Sequence, residues 1–105
     1  MVTRADLPPG VQVCQAVHAA LDFAITHADV IANWRAGSNT LVVLAAADEL
    51  ELDWICRDAL TAGLLVVRFH EPDLSGALTA AAFEPAAARA LAHLPTALTR
   101  KEVNS

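Results

Sequence analysis

Tyrosine is missing from this 105-residue chain, and three Phe and two Trp are its only aromatic side chains. Its hydrophobic share of 55% rests instead on small residues, 23 of them Ala. Such side chains let helices pack closely but bury little area each. Positive charge is equally scarce, with seven Lys and Arg against twelve Asp and Glu, a net charge of −5 and a pI near 5.1. A histone-like or generic phosphate-binding surface is excluded, because basic side chains carry that kind of affinity. A small local basic site is not excluded. No stretch of about 18 uncharged apolar residues occurs, so no membrane-spanning helix is expected. Met1–Gly10 carries Arg4, Asp6 and two prolines where a secretory signal would be apolar, which points to the cytoplasm. Cys14 and Cys56 stand apart, in no metal-binding spacing, and read as two reduced, mostly buried thiols. The four His are equally scattered, so no metal site is expected.

What is present is regular punctuation. Met1–Ala5 reads as a short strand, ended by Asp6 and followed by the Pro8-Pro9-Gly10 turn. From Val11 to about Trp34 there is neither Gly nor Pro. There Val11, Cys14, Val17, His18, Leu21, Ile25 and Ala28 recur at three- and four-residue steps. That spacing predicts one long helix burying this stripe, with Gln12, Asp22 and Asp29 elsewhere. Thr40–Ala45 is a continuous apolar run that reads as a strand buried on both faces. Asp48 and Glu49 suit a helix N-terminus, Leu50, Trp54, Ile55, Ala59 and Leu60 follow at helical spacing, and Gly63 closes it. Leu64–Phe69 and Leu78–Phe83 are two further strands, joined by the polar turn His70–Gly76. Pro85 opens a short Ala-rich helix through about Leu94, and residues 99–105 read as a frayed tail. The order β-α-β-α-β-β-α predicts a single α/β domain, residues 1–98. It would be a four-stranded mixed but mostly parallel sheet, sandwiched between helices and ending in an antiparallel pair.

Ligands of such sheets bind beyond strand ends and at helix starts. Two segments qualify. The first is the opening of the long helix, where Gln15 and His18 are neighbours one turn apart, with Asp22 a turn further on. The second is the loop carrying Glu71, Asp73 and Ser75, with Thr79 leading into the last strand. His18 is either a partly buried imidazole bonded to Asp22 or backbone, or a general base, a role that imidazole chemistry suits. Glu71 and Asp73 are either solvated turn residues or partners of that base, and Thr79 is either a good strand former or a site residue. His27 and His93 read as surface residues. No nucleophile elbow, phosphate loop or dinucleotide fingerprint is present.

Arg4-Ala5-Asp6-Leu7, Gly10, Gln15 and His18-Ala19-Ala20 stand in an order that resembles the second type of peptidyl-tRNA hydrolase. The resemblance continues through Asn39–Leu44, Ala62-Gly63-Leu64 and Leu78-Thr79-Ala80, and so covers about Thr3 to Pro85. It implies the same four-stranded fold, a homodimer, no cofactor, and cleavage of the ester joining a peptide to the 3′ end of tRNA. His18, Glu71 and Thr79 would be catalytic, and Gln15, Arg4 and Asp73 would bind substrate. Val11 stands where the family carries a lysine, and the 70–76 loop is shorter than the family's. Those departures motivate a second reading, a dimeric binding module that has lost the chemistry. A third is a hydrolase of some other ester or amide. A dimer would need an exposed apolar patch, for which Trp34 and Trp54 are candidates.

Overall fold

Three strands run in one direction, and the fourth turns back and inserts among them. The computed structural model describes residues 1–99. It contains strands β1 (Val2–Arg4), β2 (Leu44–Ala46), β3 (Val66–Glu71) and β4 (Ala77–Phe83). Its helices are α1 (Pro9–Thr26), α2 (Ala28–Ala36), α3 (Glu49–Thr61) and the single turn α4 (Ala88–Leu91). The sheet order is β2-β1-β4-β3, with β1 and β2 parallel and β4 antiparallel to both its neighbours. The predicted mixed α/β sheet between helices is therefore observed, but it is not mostly parallel. The helical crossovers do keep β1, β2 and β3 codirectional. The short link from β3 drops β4 into the middle, which makes two of the three pairings antiparallel.

Each face of the sheet carries its own apolar cluster. On one side Leu52, Ile55 and Cys56 of α3 pack with Val2, Leu78 and Ala81; on the other Ala19 and Phe23 of α1 pack with Ala80 and Ala82. The central strand thus presents Ala to both helical layers, which lets each helix come close. Local signals hold well at α3. Asp48 caps it by accepting from the Glu51 N–H at 2.9 Å, and Gly63 follows the helix with φ +81°.

The first helix differs most from expectation. Its buried face is Gln12, Gln15, Ala16, Ala19 and Phe23, while Val17, Leu21 and Ile25 are 50%, 57% and 81% exposed. The sheet beneath offers Ala80, Ala82 and Thr79, so a close helix needs small or hydrogen-bonded side chains at the contact. The bulky aliphatic row faces outward. The helix also ends at Thr26 and not at Trp34. The Thr26 hydroxyl donates back to the Asp22 carbonyl at 2.7 Å, His27 leaves helical geometry, and α2 turns so that Val30 and Ile31 cover the cluster.

β2 is shorter than predicted because it is an edge strand, with Leu41 and Val42 left exposed before it. Its outer edge is covered by residues 95–97, through Ala45 N–H to Pro95 O at 2.9 Å and Ala97 N–H to Val43 O at 2.8 Å. β3 runs two residues further than expected, which moves His70 and Glu71 from loop to strand. The last helical segment begins as a 3-10 turn at Pro85 and ends its α-helical turn at Leu91. Of the expected frayed tail, residues 100–105 lie outside the described residues. No helix among the described residues is long and apolar enough to cross a membrane.

Candidate active site

Of the side chains singled out on α1, Gln15 meets the last strand. Thr79 Oγ1 donates to Gln15 Oε1 at 2.7 Å, between two buried residues 64 positions apart. A β-bulge makes this contact. Phe69 pairs with Ala80 and His70 with Leu78, so Thr79 is an extra residue in β4 with no partner in β3. The bulge turns Thr79 towards α1, on the same side as Ala80. With its oxygen engaged by Thr79, the Gln15 amide is left to offer its N–H groups elsewhere.

His18, one turn along α1 from Gln15, lies flat on Phe69, with ring centroids 4.6 Å apart and planes 9° from parallel. Its ring makes no hydrogen bond to Asp22. Phe69 therefore links the elements of the site: its ring carries His18, and its carbonyl lies 3.5 Å from the Thr79 hydroxyl. Glu71 follows two residues later on the same face of β3 and caps the 3-10 turn Pro72–Leu74, accepting from the Asp73 N–H at 3.4 Å. The Asp73 side chain is exposed at the rim of that turn. The structure thus joins Gln15 to Thr79 directly and His18 to both only through the helix and Phe69, while Glu71 and Asp73 are bonded to each other within their own turn.

Arg4 is not among them. It lies on the face towards α3, held by two bonds to Asp6 at 2.8 and 3.0 Å and by one to the Leu78 carbonyl at 3.1 Å. Glu49 stands 3.9 Å away and uses the same carboxylate oxygen to accept from the Leu78 N–H. The bond to Asp6 raises the Arg4 pKa and lowers that of Asp6 below the usual carboxylate range. The pair therefore holds at neutral pH, and its contribution is lost only on acidification through the lowered Asp6 pKa. Arg68 likewise faces α3, 4.0 Å from Asp53. Arg35 sits in the last turn of α2, beyond the break at His27. Arg4 and Arg68 thus both lie on the sheet face opposite His18.

Three contributors escaped the sequence reading. Thr3 is fully buried under α1, its hydroxyl 3.5 Å from the carbonyls of Gln12 and Thr79. Gln12, expected on the outer face, is 5% exposed; its Nε2 donates to the Leu7 carbonyl at 2.7 Å, and its Oε1 is buried without a partner. Phe69 is the third. The signal available for Gln12 was the row 12, 15, 16, 19, 23, a helical stripe of amides and small residues instead of large apolar ones.

The cysteines differ as well. Cys56 is buried, and burial raises its thiol pKa, whereas Cys14 is exposed on α1, one turn before His18. A maleimide at neutral pH is expected to label the native protein once, at Cys14, as intact mass and peptide mapping would show. Two rapid labels would contradict the burial of Cys56.

No protein-family model matches this chain, and no curated protein matches it either.

Proposed function

We propose that this chain is a peptidyl-tRNA hydrolase-like esterase, releasing a peptide from the 3′ end of tRNA. The supporting observation is the buried Gln15–Thr79 hydrogen bond, which holds an amide beside the exposed imidazole of His18. In this reading a ring nitrogen of His18 takes a proton from a water as its oxygen attacks the ester carbonyl carbon. The Gln15 N–H groups meet the developing oxyanion. Collapse of the tetrahedral intermediate breaks the bond to the ribose oxygen, which recovers the proton from His18. Thr79 acts by positioning Gln15, and Glu71 and Asp73 border the approach. Purified protein is expected to release peptide from a model peptidyl-tRNA, with His18→Ala lowering the rate by about 10²–10⁴-fold. No release above buffer at micromolar protein would sink the reading. That result would favour the non-catalytic module, which the engagement of Arg4 by Asp6 and the Val11 substitution already make the second reading.

The same proposal includes a homodimer. Val13, Val17, Leu21 and Ile25 form an exposed row along α1, which carries a single formal charge, Asp22. Beside the row lies a cavity of about 560 Å³, lined by Ala20, Ala24, Trp34, Leu41 and Val42 among others. In this reading a two-fold axis would seat each aliphatic ridge in the other protomer's largely apolar groove. Trp54, by contrast, is 66% exposed on α3, away from this patch. Sedimentation is expected to give a dimer for the natural chain and a monomer for Leu21→Asp. A monomeric natural chain at tens of micromolar would remove the dimer.

A further inference from the structure

Proton transfer at His18 uses the edge of its ring, and the ring's faces have a separate role to explain. One face is covered by Phe69 in a nearly coplanar stack, and yet His18 as a residue is exposed. A coplanar stack covers only one face of each ring, so the other face of His18 points outward. The result is a flat ring that is fixed and backed. Helix α1 holds its base, and Phe69 sits beneath it, itself packed into the cluster of Ala19, Phe23, Ala80 and Ala82. The border of this platform is acidic: Glu71 lies two residues beyond Phe69 on the same strand face, and Asp73 follows at the rim. Arg4 and Arg68 point to the opposite face of the sheet. Such a surface suits a planar, uncharged ring and is poorly suited to a phosphate.

We propose that the outer face of His18, backed by Phe69, is a stacking platform for a purine base, the adenine of the terminal nucleoside at the RNA 3′ end. This rests on the hydrolase reading above. A terminal nucleoside carries no phosphate on its 3′ side, so it tolerates the carboxylates of Glu71 and Asp73 where an internal nucleotide would be repelled. Stacking on the ring face also leaves the ribose and its ester at the ring edge. The imidazole nitrogens are there, with the Gln15 amide one turn earlier on α1. One side chain thus serves twice, binding with its face and moving a proton at its edge.

Adenosine and cytidine titrated into the full-length protein, followed through the His18 ring protons by NMR, test this. Adenosine is expected to shift those protons upfield saturably, and cytidine to bind several-fold more weakly. A short RNA with an intact 3′-terminal adenosine should bind more tightly than the same RNA lacking it, with little dependence on salt. His18→Trp separates the two roles: it should keep adenosine binding while losing hydrolysis, whereas His18→Ala should lose both. Phe69→Leu should raise KM on the order of tenfold or more with a smaller change in kcat. The platform is overturned if adenosine leaves the His18 resonances unmoved up to its solubility, or if His18→Trp binds it no better than His18→Ala. Adenosine binding without any peptide release would overturn the hydrolase reading alone. Release with KM unchanged in Phe69→Leu would overturn the platform alone.

Discussion

Thr79→Val is expected to leave a folded protein whose peptide-releasing activity falls by on the order of a hundredfold. Valine matches threonine in shape, so the strand and its bulge have no steric reason to change. What goes is the hydroxyl that donates to Gln15 at 2.7 Å, in a setting where both residues are at most 5% exposed. The Gln15 oxygen is then buried without a donor, at a cost of about 1–3 kcal/mol. In a domain of this size that lowers Tm by roughly 5–15 °C. The larger effect falls on the freed amide, which can rotate and no longer presents its N–H groups at one place. Thr79→Ser keeps the hydroxyl and is expected to restore most of the activity even where it loses some stability. Activity and calorimetry on the two variants separate positioning from folding: equal activity in both would show that the hydroxyl does not matter to the reaction.

Leu52→Ala is expected to produce the largest loss of stability, about 2–5 kcal/mol. Leu52 is fully buried in α3, within the cluster that also contains Val2, Ile55, Cys56 and Leu78. Its neighbours Val2, Ile55 and Leu78 are themselves buried and packed in that cluster, so they would refill the space only in part. Total stability for a domain is commonly about 5–15 kcal/mol, so the variant would be marginal at 37 °C. Leu52→Met, which conserves volume, should cost under about 1.5 kcal/mol. Since Leu52 and His18 lie on opposite faces of the sheet, activity per folded molecule should survive in both at low temperature. Urea unfolding with activity measured below the transition checks both halves of this expectation.

How much of this was legible depended on how local each signal was. Asp48, Glu49 and Gly63 mark α3 correctly because a cap and a left-handed closing residue act within a few positions. The order of elements was legible for the same reason. The buried face of α1 was not, because periodicity favours large apolar residues and here the contact demands small ones. Val17 and Leu21 fit the apolar stripe, and Ala16 and Ala19 fit the alanine-lined sheet. The bulge at Thr79 depends on the register between β3 and β4, which no single segment contains. Gln15 and Thr79 were each singled out from their own segment, but the hydrogen bond between them joins residues 64 positions apart and no local signal announces it. Arg4 was legible only as part of a motif, since its engagement with Asp6, Leu78 and Glu49 joins three separate stretches of chain.

The sheet order has a consequence for how the molecule comes into being. β1, at residues 2–4, is hydrogen-bonded to β4, at residues 77–83, in the middle of the sheet. A chain emerging from the ribosome can form α1, α3 and the β3–β4 hairpin from short-range contacts, but its first strand waits for its last before the sheet can close. Such long-range closure is slow compared with helix or hairpin formation. Gln15 of α1 likewise meets Thr79 only once β4 has been made, so the site draws on both ends of the described chain. A nascent chain that stops short of Thr79 cannot display it.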